Sequence, residues 1–241
     1  MKKLLALVLC LAMVLSTLGT VAFADETVSF DVWDGTVDTS WYNEDDTEFT
    51  ITTAEQWAGL AYLVNGKQSY NPTLTESADF GYYTDGHKSA IPVESDSNNS
   101  VSFEGKKIYL EANLDFCATD ANGNLIKLPG NENLSMMPVG YSSYTPFKGT
   151  INGQGHIIKN LFQGGWDLYG LDYTSKVRLG LFGQLEDATV ANLVLDNFAF
   201  NCEMNLGALA AISCGNTTID GITIKNTTVA ASGGWWGGGN G

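Results

Sequence analysis

Phe147 to Leu161 reads FKGTINGQGHIIKNL, and its last four residues return twice further along the chain. Ile158-Lys159-Asn160-Leu161 reappears as Val190-Ala191-Asn192-Leu193 and again as Ile219-Asp220-Gly221-Ile222, at offsets of 190 − 158 = 32 and 219 − 190 = 29. A short apolar strand with a small turn residue at its third position therefore comes back about every thirty residues, the period of a solenoid. A second echo runs out of phase with the first: Gly180-Leu181-Phe182-Gly183-Gln184-Leu185 answers to Gly207-Ala208-Leu209-Ala210-Ala211-Ile212, an offset of 207 − 180 = 27. Each repeat thus holds at least two strands. The expected fold is all-β: a right-handed parallel β-helix in which Ile158, Val190 and Ile219 stack into one column, preceded by a single capping α-helix.

That helix is written into residues 53–66. Thr53-Ala54-Glu55-Gln56 fits the capping box, in which the threonine oxygen accepts from an orphan backbone N–H and the glutamine side chain reaches back. Trp57, Leu60, Ala61 and Val64 fall at i, i+3, i+4 and i+7, one helix face, and Gly66 ends it where only glycine turns left-handed cheaply. A repeat array needs such a cap, because its first strands otherwise present open edges and an apolar floor.

The leader is equally legible. Lys2 and Lys3, an apolar run from Leu4 to Leu15 and the Ala22-Phe23-Ala24 exit describe a signal peptide over residues 1–24. The run is shorter than the roughly twenty residues a spanning helix needs, so no membrane insertion is expected after cleavage. Cys10 has Leu9 before it, where a lipoprotein signal wants a small residue. The expected location is therefore secreted or cell-surface.

Twelve basic against 27 acidic residues, net −15, exclude nucleic acid as a partner, because a phosphate backbone rewards clustered cations. Solubility accounts for this charge, with surface calcium as the alternative, and no cofactor is expected. Cys117, Cys202 and Cys214 remain after cleavage, too few and too widely spaced for a disulfide framework, and no zinc spacing is present.

Residues 25–66 are expected to form a hairpin turning at Asp34-Gly35, followed by the helix. Trp33, Trp41 and Tyr42 there belong either to the core or to a sugar-binding platform. Residues 67–105 lack any period and read as a polar insertion, with His87, Tyr82 and Tyr83 as a possible site. Residues 106–241 hold the β-helix coils. Ile108, Leu110 and Leu114 suit the inside of a strand and its bend, and Asp120-Ala121-Asn122-Gly123-Asn124 suits a hairpin turn better than a calcium loop. Asn197 and Asn226 occupy equivalent places, where stacked amides bond up the axis. The chain ends in Gly-rich residues with no capping element, so the repeats are expected to be incomplete at the C-terminus.

The segment FKGTINGQGHIIKNL followed by Gly180-Leu181-Phe182-Gly183 resembles the GLUG-motif proteins, exported bacterial β-helix proteins. The Thr53 to Ala61 helix and the Ile108-Tyr109-Leu110-Glu111 strand are similar to what stands ahead of such motifs. The third repeat departs from the pattern, since Gly207-Ala208-Leu209-Ala210 lacks the second glycine. The resemblance implies a surface or adhesin-like protein, or the non-catalytic region of a larger surface protease. A leucine-rich repeat fits less well, because Asn197 comes one place early.

Functionally the residues point to a non-enzymatic stalk or scaffold that presents loops to a glycan, a host protein or a cell-wall component. Trp166, Tyr169 and Tyr173, in the detour from Gln163 to Arg178, are the candidate binding residues. The alternative is a polysaccharide lyase or glycoside hydrolase, for which Asp167, Asp172, Lys176 and the only arginine, Arg178, would supply the polar groups. Hydrolysis requires two carboxylates facing one groove, and no such pair recurs on a strand.

Overall fold

A computed structural model of the chain describes residues 28–67, 97–116, 136–164, 178–202 and 205–231. Among them are thirteen strands and one helix. In order they are β1 (Asp31–Val32), β2 (Glu48–Ile51), α1 (Ala54–Val64), β3 (Lys107–Leu110) and β4 (Leu114–Asp115). Then follow β5 (Thr150–Asn152), β6 (Ile157–Lys159), β7 (Phe162–Gly164), β8 (Phe182–Glu186) and β9 (Thr189–Asp196). The last four are β10 (Ala199–Cys202), β11 (Ala210–Cys214), β12 (Thr218–Lys225) and β13 (Thr228–Ala231).

Every pairing between these strands is parallel. The fold is all-β with mostly parallel sheets. One sheet runs β1-β4-β6-β9-β5-β3-β2 with β12 on the far edge of β9; a second runs β13-β10-β7, and a third joins β11 to β8. The eight-residue β9 faces two three-residue strands on one edge: its Thr189–Ala191 pairs with β5 and its Val194–Asp196 with β6. Gly153 to His156 bulge between those two, held to β9 by Gly153 N–H to Ala191 O at 2.8 Å and Gly155 N–H to Asn192 O at 2.7 Å.

Parallel registry places like residues over like. One row runs Phe49, Ile108, Ile151, Val190, Ile219, and the next runs Leu114, Ile158, Leu195, Ile224. All but the last member of each row are buried. Burying an aliphatic side chain of this size contributes roughly 1.5–3 kcal/mol, so the rows supply much of the cohesion between strands far apart in sequence. Ile158 does not share a row with Val190 and Ile219, as the repeated tetrapeptide suggests; Ile151 does. Ile158 lies beside Leu195 because Asn160 corresponds to Asn197, not to Asn192. The 29-residue spacing holds between β9 and β12, whereas the interval before it is 190 − 151 = 39. The second echo also slips by one: Leu179 bridges Leu206 at an offset of 27, but Gln184, not Leu185, lies beside Ile212.

Two glycines of the Gly180–Gly183 motif mark close backbone approach. A Cβ on Gly183 would lie 2.4 Å from the Gly140 carbonyl, and one on Gly180 would lie 2.4 Å from that of Gly207. Leu181 and Phe182 between them are fully buried. Turns fall on residues that tolerate positive φ: Asn160, Asn192, Asn197 and Asn226 lie between 51° and 60°, where asparagine is among the few side chains accepted.

Helix α1 forms as its sequence predicts. Thr53 Oγ1 accepts from the Gln56 N–H at 3.2 Å, and Trp57, Leu60, Ala61 and Val64 are buried. The reciprocal half of the capping box moves by one residue, with Gln56 Oε1 accepting from the Thr52 N–H at 2.8 Å. Gly66 has φ 74°, the expected left-handed ending.

Two expectations fail nearby. Residues 31–51 are not a hairpin: β1 pairs with β4 and β2 with β3, both in parallel. Asp34-Gly35 does turn, with Asp34 Oδ1 accepting from the Thr36 N–H at 2.8 Å, but a turn signal says nothing of the direction of the next strand's partner. The polar insertion ends earlier than its composition suggests. Phe103 is buried at φ 61° within the aromatic group of Trp41, Tyr42, Phe49 and Phe147.

Candidate functional site

Trp166, Tyr169 and Tyr173 lie outside the described residues, as do Asp167, Asp172, Lys176, Tyr82, Tyr83, His87, Cys117 and Asp120 to Asn124. The attachments of their segments are described. Segment 165–177 leaves from Gly164, on the β7 ladder, and rejoins at Arg178, whose N–H donates to Tyr141 O at 3.1 Å; the next residue, Leu179, donates to Asn205 O at 3.0 Å. Segment 68–96 leaves after Lys67, bonded to Tyr62 O at 2.8 Å, and returns near Ser100, whose hydroxyl donates to Val64 O at 2.6 Å. Segment 117–135 leaves after Phe116, bonded to Lys159 O at 3.0 Å.

Arg178 opens a polar strip on β8 and its neighbours. Its Nη1 donates to Gln184 Oε1, and Gln184 Nε2 donates to Glu186 Oε2 at 3.2 Å and to Cys214 Sγ at 3.4 Å. Glu186 Oε1 accepts from Lys148 Nζ at 2.6 Å. Gln184 and Glu186, two residues apart on β8, meet side chain to side chain, while Leu185 between them is fully buried. That hydrogen bond to Glu186 holds the Lys148 ammonium above the ordinary lysine range. Burial lowers the Arg178 pKa, opposed by the nearby Cys214, yet a guanidinium stays charged at any ordinary pH. Arg178 Nε has no acceptor among the described residues.

Chemically the strip is a fixed cation beside a hydrogen-bonded amide and carboxylate, suited to positioning a polar segment or an oxygen-rich ligand. Asp187, next along the chain, accepts from the Asn216 N–H at 2.8 Å. The carboxylates here are thus engaged by protein donors. Among the described residues no three His, Cys, Asp or Glu gather closely enough to hold a metal ion. Cys214 is a free, half-buried thiol. Of this strip only Arg178, as the lone arginine, and Cys214 stood out in the sequence; the linked side chains lie up to 186 − 148 = 38 residues apart.

The aromatic residues near the N-terminus are structural. Trp33 is buried, with its indole N–H donated to Thr36 O at 2.7 Å, and Trp41 donates to Asp38 O at 3.0 Å. Tyr42 stacks on Phe49 with centroids 5.5 Å apart; its burial, and Glu44 beside it, push the phenol pKa up. Trp41 and Tyr42 are half-buried and pack against the core, so these rings serve in packing.

A second outward feature is a row of alternating charge. Asp115, Lys159, Asp196 and Lys225 are register neighbours on β4, β6, β9 and β12. Lys159 Nζ lies 3.2 Å from Asp115 Oδ2 and Lys225 Nζ 3.4 Å from Asp196 Oδ2. Asparagines reinforce the same steps: Asn160 Nδ2 donates to Asp115 Oδ1 and Asn226 Nδ2 to Asp196 Oδ1, both at 2.7 Å. The expected amide bond between Asn197 and Asn226 does not form: Asn226 turns to the Asp196 carboxylate, and Asn197 instead donates to Asn160 Oδ1 at 2.7 Å, one step earlier.

No family model matches the chain, and no solved structure matches it. It is similar to Halomucin of Haloquadratum walsbyi, with 30% identity over 131 residues, which is 54% of this chain and 1% of Halomucin. The chain therefore spans about one-hundredth of the length of that relative. Among the described residues no helix is long and apolar enough to cross a membrane.

Proposed function

We propose that the chain is an exported cell-surface protein built as a right-handed parallel β-helix of the GLUG-motif kind, serving as a non-enzymatic, adhesin-like scaffold. One observation carries this reading: parallel rows of like residues continue from β2 to β12 across long intervals of sequence. A rigid stack suits presentation, because loops on a fixed scaffold carry recognition. The close approaches at Gly180 and Gly183 give the two glycines of Gly180-Leu181-Phe182-Gly183 a physical role. Similarity to Halomucin over 131 residues is compatible with this reading.

On this reading Trp166, Tyr169 and Tyr173 face a glycan, host protein or cell-wall component, and residues 1–24 direct export. Glycan arrays probed with wild type and Trp166→Ala test the ligand: binding by wild type, reduced at least tenfold in the variant, is expected. Equal binding, or none in either, overturns it. N-terminal sequencing of the secreted product tests export, with Asp25 the expected first residue.

A further inference from the structure

The Cys214 thiol is half-buried, and reactive groups surround it. Strand pairing sets Cys214 directly opposite Glu186, so its Sγ lies 3.9 Å from Glu186 Oε2 and 3.4 Å from the Gln184 amide nitrogen. Gln184 is only 6% exposed, deep for a primary amide. Its orientation is fixed, because Arg178 Nη1 donates to Oε1 and leaves Nε2 to turn toward the thiol and toward Glu186 Oε2, at 3.2 Å. Lys148 Nζ holds the other Glu186 oxygen at 2.6 Å. The amide carbon therefore has a nucleophile beside it, a cation on its oxygen, and a carboxylate shared between its nitrogen and the nucleophile. Those are the parts that acyl transfer requires.

We infer that Cys214 and Gln184 react with each other to form an internal thioester, an electrophile for primary amines. Cys214 Sγ attacks Gln184 Cδ, and the amide oxygen takes up negative charge against the Arg178 guanidinium. Glu186 carries the thiol proton to Nε2. The S–Cδ bond forms, the Cδ–Nε2 bond breaks and ammonia leaves, with no oxidant or cofactor taking part. An amide is a poor electrophile, but two groups held on paired strands react as one molecule rather than as two.

Burial of Gln184 slows hydrolysis of the thioester, while the half-exposed Cys214 leaves an approach from the sulfur side. A primary amine entering there attacks Cδ, the S–Cδ bond breaks, and the amine's surplus proton passes to the sulfur. The products are a substituted Gln184 amide and the recovered thiol. The chain thus gains a point of covalent attachment to amine-bearing partners, whatever the scaffold presents elsewhere.

Intact-mass spectrometry of the full chain, secreted by its expression host, tests the bond. Wild type is expected about 17 Da lighter than the sequence of the secreted product, the mass of the lost ammonia, whereas Cys214→Ser and Gln184→Ala keep their full mass. Methylamine should add about 31 Da to wild type and release one iodoacetamide-reactive thiol, and should change neither variant. Trypsin leaves residues 179–225 in one peptide, whose fragmentation should place the methylamide at Gln184. Glu186→Gln keeps the side-chain shape but cannot carry the proton, and should hold at least tenfold less thioester. Wild type at full mass, with glutamine at 184 and inert to methylamine, overturns the proposal. So does a loss of mass that persists in Cys214→Ser, the mark of a cyclised asparagine at a site such as Asn152-Gly153. A loss of about 2 Da instead, from a disulfide between Cys214 and another thiol, also overturns it.

Discussion

The side chain of Asn65, at the C-terminal end of α1, holds the backbone around Gly140: its Oδ1 accepts from the Gly140 N–H at 2.9 Å and the Tyr141 N–H at 3.2 Å. Its Nδ2 donates to Pro138 O at 2.9 Å. Asn65 is fully buried, so these bonds are sheltered from competing water. They tie the helix to a segment 140 − 65 = 75 residues away, next to the tight contact at Gly183. Asn65→Ala leaves three backbone groups without their partner and should cost about 3 kcal/mol, given about 1–3 kcal/mol for an orphaned buried group. Urea unfolding should show a lower midpoint with the slope unchanged.

Gly183→Ala and Gly155→Ala separate close packing from backbone strain. An alanine methyl at 183 meets the Gly140 carbonyl and Tyr141 Cα, both backbone atoms. Overpacking of this kind costs roughly 1–3 kcal/mol. At 155 nothing lies within 4 Å, but φ is 83°, and the left-handed region costs a non-glycine residue about 1–2 kcal/mol. Both variants should melt earlier, yet only Gly183→Ala should change near-ultraviolet circular dichroism, through the buried Phe182 and Tyr141 beside it.

Asn197→Ala loses both the 2.7 Å amide link to Asn160 and the side chain that tolerates φ 55°. The expected loss is about 1–2 kcal/mol. Asn197→Gly keeps the backbone and loses only the link, so thermal unfolding should place it between alanine and wild type.

Acid acts on the loop before α1. Hydrogen bonds from the Thr36 hydroxyl and N–H hold the Asp34 carboxyl below the ordinary aspartate range. Because the folded pKa is depressed, unfolding takes up a proton in the interval between the folded and unfolded values. The stabilisation is complete above the ordinary value, about 3.9, and is lost as pH falls through the lower folded one. Asp34→Asn should flatten this portion of the stability–pH curve, and the group's exposure keeps the effect small. Unfolding midpoints measured from pH 6 down to pH 2 in both proteins check it.

Local chemistry was legible in the sequence, and partnership was not. Thr53, Gln56 and the Trp57 to Val64 face announced α1 because capping and helical periodicity act over a few residues. The repeats announced stacked strands, but I-K-N-L and V-A-N-L are alike enough to mislead, and registry follows the columns rather than the tetrapeptides. Asp34-Gly35 promised a hairpin because turn residues are blind to strand direction. Phe103 went unread as core, since a lone ring in a polar run has no period. For the candidate site, Arg178 stood out by rarity alone. Its link to Gln184, Glu186, Lys148 and Cys214 arises from sheet pairing across long connections, which no short window contains.

The bulge at Gly153 to His156 shows where this architecture absorbs length. Four residues there stand against Asn192 and Leu193 on β9, yet the rows on either side stay in register. Foreign peptides grafted between Gln154 and Gly155 would inherit that freedom, making the corner a natural point of attachment for epitopes or affinity handles on an otherwise unyielding frame.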